Sequence, residues 1–254
     1  MSYEGKVALI TGAGSGLGRL LAKRLATTGV AVAGLDQNQE GLKETGAELE
    51  GFRAWPLDVS DAGAVEATVR EVESDLGPVD RVVNAAAIMP TALLLDQDTA
   101  LINRIMEVNY CGTVNVTMAT LPGMLERGKG DLINFASIAG WLPMPHFGAY
   151  NASKFAVVAF TEVLYHENRN RGVRFACVCP PPVDTPLLAQ ATSQPKSLDQ
   201  VPPITPAKVL DAMERDLDRG KLMVFPDFNS TAIQKLRRFL PGLVWANTHR
   251  IEGI

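Results

Sequence analysis

Cysteine is scarce in this chain, aromatics are few, neither charge sign dominates and no apolar run is long. Each scarcity excludes a class of protein. Only three of the 254 residues are cysteines, Cys111, Cys177 and Cys179. An odd count, with two thiols in a C-x-C inside an apolar run, is not a disulfide framework. It points to buried free thiols in a reducing compartment. A formal net charge of −4 argues against nucleic acid as a partner, because a nucleic-acid binder carries a basic stripe. No uninterrupted apolar run approaches the ~18 residues that a membrane span needs. The stretch Met1-Ser2-Tyr3-Glu4-Gly5-Lys6 lacks the charged-then-apolar layout of a secretory signal. The expected location is the cytoplasm, and no metal site is expected.

The sequence is globular in composition, 46% apolar and 20% charged. Its length suits one α/β domain with a sizeable core. Short apolar runs alternate with amphipathic stretches. Val7-Ala8-Leu9-Ile10 reads as a buried strand ending at glycines. Leu17, Leu20, Leu21 and Leu25 recur at helical spacing up to about Thr28. Further strands are expected at 30–35, 52–57, 81–84, 131–135, 173–179 and 222–225. Helices are expected at about 61–76, 100–127, 149–169 and 205–219, with Ser60 or Asp61 capping the first of them. Strict alternation implies a doubly wound, mostly parallel seven-stranded sheet with helices on both faces. Ligands of such folds sit at the carboxyl ends of the strands. One domain is expected over residues 1–254. Residues of about 184–204 would form a substrate loop, and those of about 227–254 an interface or lid.

Glycines stand at 12, 14, 16 and 18, directly after the first strand. The strict dinucleotide fingerprint G-x-G-x-x-G fails, since its third glycine falls on Leu17 or Arg19. The segment still offers a backbone that can turn tightly and lead into a helix N-terminus, which suits a pyrophosphate. Asp36 closes the second strand. Its carboxylate can accept from a ribose diol and would repel a 2′-phosphate, or it can cap a turn. Its neighbours Ser15, Gln37 and Asn38 are uncharged. NAD is therefore expected over NADP. Asp58 and Val59 close the third strand at the same sheet edge, where they can contact adenine or open the next helix.

Tyr150 and Lys154 are four residues apart, so on a helix they share a face. A free Tyr, with a pKa of ~10, is a weak base at neutral pH. A nearby cation favours its phenolate and would let it exchange a proton with an alcohol. Ser137 ends the fifth strand and can hydrogen-bond a substrate oxygen.

These residues carry a family resemblance along nearly the whole chain, to the short-chain dehydrogenase/reductase family. Thr11-Gly12-(x)3-Gly16-Leu17-Gly18 is similar to its T-G-x-x-x-G-x-G cofactor motif, which accounts for the failed strict fingerprint. Tyr150/Lys154 resembles its Y-x-x-x-K, and Ser137 its serine. The resemblance implies a nicotinamide cofactor and a homodimer or homotetramer. It makes Tyr150 the acid/base and gives Asn109 the role of linking Lys154 to a water relay. Two segments depart from the pattern. The family's N-N-A-G is Asn84-Ala85-Ala86-Ala87, whose small residues should still pack against adenosine. Its P-G-x-V-x-T is Pro180-Pro181-Pro182-Val183-Asp184-Thr185, where Pro181 fixes φ and removes an N–H. The resemblance gives Val183 and Thr185 contacts to the nicotinamide carboxamide.

The loop Trp141–Phe147, with Ala87-Ile88-Met89 and Pro186-Leu187-Leu188, should line an apolar cleft. That suits an apolar alcohol or ketone. His146 either contacts substrate or is solvated. After Asp227, Ile233, Leu236, Phe239 and Leu240 share a helical face beside Lys235, Arg237 and Arg238. Packing on a partner subunit or over the cleft is the expected role of this segment, ahead of contact with a membrane surface. The expected activity is an NAD-dependent alcohol dehydrogenase or carbonyl reductase. The alternative is a non-catalytic NAD(H) sensor on the same fold.

Overall fold

The structure is a computed structural model describing residues 5–193, 195–199 and 201–253. Residues 1–4 of the N-terminal stretch and positions 194 and 200 of the substrate loop lie outside the described residues. Val7–Thr11 is buried along its whole length, with Ala8 and Ile10 in one apolar layer and Val7 and Leu9 in the other. A strand covered on both faces favours apolar residues on both, which explains the run Val7–Ile10. It is β1. The other strands are β2 (Ala31–Asp36), β3 (Phe52–Pro56), β4 (Arg81–Asn84), β5 (Gly130–Phe135), β6 (Val173–Val178) and β7 (Met223–Val224). Their order is β3-β2-β1-β4-β5-β6-β7, and every pairing is parallel. The expected doubly wound α/β fold is present, with the sheet wholly rather than mostly parallel.

The helices are α1 (Gly16–Ala26), α2 (Gln39–Gly46), α3 (Ala62–Leu76), α4 (Thr99–Met106), α5 (Gly112–Arg127), α6 (Gly148–Asn168), α7 (Lys196–Asp199), α8 (Pro206–Asp218), α9 (Phe228–Phe239) and α10 (Pro241–Glu252). Helices α1, α2 and α8 cover one face of the sheet. Helices α3, α5 and α6 cover the other. Asp61, not Ser60, caps α3: its carboxylate accepts from the Ala64 N–H at 2.9 Å. Between α4 and α5 the helical path continues through a π turn, Glu107–Cys111. Such insertions cluster at functional sites. Here the turn carries Asn109.

Chain order reverses between β1 and β4, since β2 and β5 extend to opposite sides of that pair. That reversal opens a crevice at the strands' carboxyl ends. The amino ends are locked by charge. Arg81 is fully buried and bonds both Asp131 and Glu214, and Arg174 completes the pairing of Asp131. A buried charge is tolerable only when fully partnered, so this cluster fixes β4, β5 and α8 to one another.

Candidate active site

The glycine-rich turn is held by close backbone approaches. At Gly12 φ is +69°, and an added Cβ would lie 2.9 Å from the backbone of Ala85. At Gly18 an added Cβ would lie 2.2 Å from the Gly12 carbonyl oxygen. No side chain fits either position. Thr11 ties the turn to the end of β4: its hydroxyl accepts from the N–H groups of Ala85 (3.0 Å) and Ala86 (3.1 Å). The Ser15 side chain does not cap α1, and the first turn holds no acidic residue. The N–H groups there are open to an anion.

Gly12, Ser15, Gly16, Leu17, Gly18, Asp36, Asp58, Val59, Ala85, Ala86 and Thr185 line one groove of about 350 Å³. Asp36 is fixed at its rim by the N–H groups of Gly14 and Asn38, each at 2.9 Å. It therefore does cap a turn, and its carboxylate still lines the groove. Arg19 is the cation behind Gly14. Its guanidinium is held by the carbonyls of Gly14 and Gly41 and by Glu44 at 2.8 Å. Asp58 accepts from the Ser60 N–H and hydroxyl and pairs with Arg104. Partial burial pushes this carboxyl up, but Ser60 and Arg104 outweigh it and hold it below the ordinary range. Asn84 stands apart from the groove-lining set. Its amide donates to Thr117 (3.1 Å) and Asn134 (2.9 Å), a buried bridge between the sheet and α5.

A second cavity, of about 110 Å³, adjoins the groove and shares Leu17, Ala85, Ala87, Thr185 and Leu187 with it. Ser137, Tyr150, Lys154 and Val183 line it. Ser137 extends beyond β5, and its Oγ accepts from the Ala139 N–H at 3.1 Å. Tyr150 and Lys154 lie on α6, both at most 5% exposed. Burial pushes the Tyr150 phenol up to about 12, against a hydrogen bond with Ser137 that lowers it. The sequence argument expected a cation to lower this group. The Lys154 Nζ is 5.7 Å from the ring centroid and donates to the Phe135 carbonyl at 2.9 Å, so burial wins. Burial also pushes Lys154 down to about 8, opposed by the nearby Cys177 and Cys179.

Asn109 is wholly buried and doubly bonded to the Ile88 backbone, accepting at 2.8 Å and donating at 3.0 Å. It also donates to Ser153 at 3.0 Å, and Ser153 donates to the Tyr150 carbonyl at 2.8 Å. The π turn thus braces the stretch of α6 that carries Tyr150 and Lys154 through Ser153, which the sequence alone did not single out.

Met89, Met144, Phe147, Leu187 and Leu188 line the cavity as expected of an apolar wall. The rest of the expected wall sits elsewhere: Ile88 and Pro186 line the groove, and Trp141, Leu142, Pro143, Pro145 and His146 line neither. Trp141 donates to the Cys179 thiol at 3.3 Å and packs on Phe225. His146, at φ +67°, bonds Ser193 at 2.7 Å. Leu198 of α7 joins the wall, a contribution hidden in a polar, proline-containing segment. Residues 184–193 are latched across the cavity: Met89 N–H donates to Gln190 (2.9 Å) and Ser193 N–H to Thr91 (3.1 Å). The triple-proline stretch leads into this latch. Ile204 N–H donates to the Pro182 carbonyl and Asp184 N–H to the Ile204 carbonyl, at 2.9 and 3.0 Å.

Comparison with known proteins agrees with this geometry. The short chain dehydrogenase family profile matches residues 6–196. The chain is 37% identical over 202 residues to D-threitol dehydrogenase of Mycolicibacterium smegmatis, a match covering 76% of each protein. It is 31% identical to estradiol 17-beta-dehydrogenase 11 of Macaca fascicularis, over 94% of this chain and 81% of that one. Its fold superposes with a TM-score of 0.85 on a short chain dehydrogenase/reductase from Burkholderia phymatum in complex with NAD, at 27% identity and 96% coverage of both chains. Sequence motifs, sheet order and these matches converge, and the chain belongs to the short-chain dehydrogenase/reductase family of oxidoreductases, which bind a nicotinamide cofactor.

Proposed function

We propose that this protein is an NAD-dependent dehydrogenase that interconverts an apolar secondary alcohol and its ketone. One observation carries the reading: Ser137, Tyr150 and Lys154 meet where a glycine-lined groove opens into an apolar cavity. The groove fits the cofactor. Its glycine positions admit no side chain, the α1 N-terminus is open to a pyrophosphate, and Asp36 offers a carboxylate to a ribose diol. When bound, the cofactor accepts or supplies the hydride. Asp58 and Val59 face adenine, and Val183 and Thr185 hold the carboxamide end. Asn84 supports the strand beneath rather than touching the ligand.

Tyr150 Oη exchanges the proton of the substrate hydroxyl, and Ser137 Oγ holds the same oxygen. A phenol at about 12 is protonated and ready to donate in the reductive direction. In the oxidative direction, positive charge at Lys154 and on the oxidised ring favours the phenolate. Asn109 and Ser153 hold this turn of α6 and support the relay that restores the proton. The relative that matches through the C-terminal segment is named for estradiol, and the cavity wall supports an apolar substrate for this chain too. Exposed Met118, Phe155 and Val163 on α5 and α6 support a homodimer or homotetramer. Three free thiols support a reducing, cytoplasmic setting. Residues 184–204 act as the substrate loop of a single domain spanning the chain.

The test is to follow nicotinamide absorbance with NAD and NADP in parallel on apolar secondary alcohols. Turnover with NAD is expected to exceed that with NADP by roughly a hundredfold, because Asp36 facing a 2′-phosphate costs several kcal/mol. Asp36→Ser should erase most of that preference. Equal use of both cofactors by the unmodified protein would overturn the role given to Asp36.

A further inference from the structure

The segment after Asp227 turns its apolar side outward. On α9, Phe228, Ala232, Leu236 and Phe239 recur at steps of four, four and three, which places them on one helix face. All four are exposed, Phe228 at 83% and Phe239 at 74%. Leu240 and Leu243 continue the patch across the break into α10, at 52% and 58% exposed. The opposite side of α9, with buried Ser230 and half-buried Ile233 and Gln234, meets the protein. The segment therefore covers its more polar side and leaves its apolar side outward. An apolar stripe of this kind marks an interaction surface.

Charge identifies its partner. Between Asp227 and Glu252 stand Lys235, Arg237, Arg238 and Arg250, with no Asp or Glu, in a chain of net charge −4. Lys235 and Arg238 are exposed beside the stripe. A two-fold contact with a second copy presents the same patch to itself and so sets these cations against one another. A bilayer with anionic headgroups accommodates both features, the phenyl and leucyl groups at the acyl boundary and the cations among the phosphates. Among the described residues no helix is long and apolar enough to cross a membrane, so the contact would be peripheral.

We propose that the outer face of α9 and the α9–α10 break dock on anionic phospholipid surfaces. The proposal stands independently of the reaction above, but the two sites are close in the fold. Glu252 of α10 accepts from the Lys196 N–H of α7 at 3.0 Å, and Leu198 of α7 lines the apolar cavity.

The test is cosedimentation of the purified full-length protein with vesicles of phosphatidylcholine alone and of phosphatidylcholine with phosphatidylserine. Binding is expected on the anionic vesicles only and should fade as salt screens the cations. Lys235→Gln with Arg238→Gln should weaken it about thirtyfold, at roughly 1 kcal/mol per cation. Phe239→Ser with Leu243→Ser should weaken it as well, while circular dichroism and NADH binding stay unchanged. Equal binding to both vesicle types, or to neither, would overturn the proposal. So would a fall in sedimentation mass on Phe239→Ser with Leu243→Ser, which would make this face an interface between copies.

Discussion

Tyr150→Phe is expected to lower kcat/KM by at least a thousandfold while leaving NADH affinity within about threefold. The substitution removes one oxygen and keeps the ring that packs edge-on against Phe147 at 6.2 Å. General acid/base catalysis contributes ~10²–10⁴ in rate, and among the described residues Lys154 is the one other titratable group lining the cavity. Binding should survive because the groove proposed for the cofactor is built by β1, α1 and the ends of β2 to β4. Stopped-flow turnover and NADH fluorescence titration read the two effects separately. Retained turnover would remove Tyr150 from the mechanism. The raised phenol also imposes a pH dependence. With the phenol pushed up to about 12, its base form is scarce at neutral pH and rises tenfold per pH unit. Alcohol oxidation should therefore accelerate from pH 7 to 9, whereas ketone reduction, which uses the protonated form, should stay nearly flat.

Lys154→Met is expected to raise thermal stability at pH 7 while lowering kcat/KM by at least a hundredfold. Burial lowers the folded-state pKa of Lys154 from 10.5 to about 8. A depressed lysine binds its proton more weakly in the folded chain than in the unfolded one, so the charged form destabilises the fold. The cost is fully present below pH 8 and disappears as pH rises toward 10.5. At 1.36 kcal/mol per unit of pKa this is roughly 3 kcal/mol. Methionine removes it but leaves the Phe135 carbonyl without its donor, an offset of about 1 kcal/mol. The net gain of about 2 kcal/mol corresponds to a rise in Tm of about 4–8 °C, and it should shrink by pH 10. A fall in Tm at pH 7 would show that Lys154 is held for stability rather than for function.

The geometry that local chemistry dictates was legible in the sequence. Tyr150 and Lys154 share a face because helices repeat every 3.6 residues, and Gly12 and Gly18 announce a backbone approached closely from outside. What the sequence did not reveal depended on distant partners. Arg81 opens a strand, and only the fold brings Asp131 and Glu214, 50 and 133 residues away, to its guanidinium. Asn84 turns to Asn134 and Trp141 to Cys179 for the same reason. The π turn at Asn109 was invisible because one inserted residue barely disturbs an apolar helical pattern. The direction of the Tyr150 shift also escaped, since the four-residue spacing to Lys154 carries no information on burial. In the C-terminal segment Leu236 and Phe239 do share an exposed face, but Ile233, expected beside them, lies on the covered side and Leu240 falls past the helix end, because periodicity does not reveal which side faces outward.

The most direct measurement of the central claim uses a secondary alcohol deuterated at its carbinol carbon, incubated with NAD and the protein and followed by mass spectrometry of the cofactor. The expected result is reduced cofactor carrying one deuterium, formed in step with the ketone and absent with Tyr150→Phe. Demonstrable NADH binding with no reduced, labelled cofactor across a broad panel of apolar alcohols would contradict it, and would leave a protein that senses the cofactor without using it.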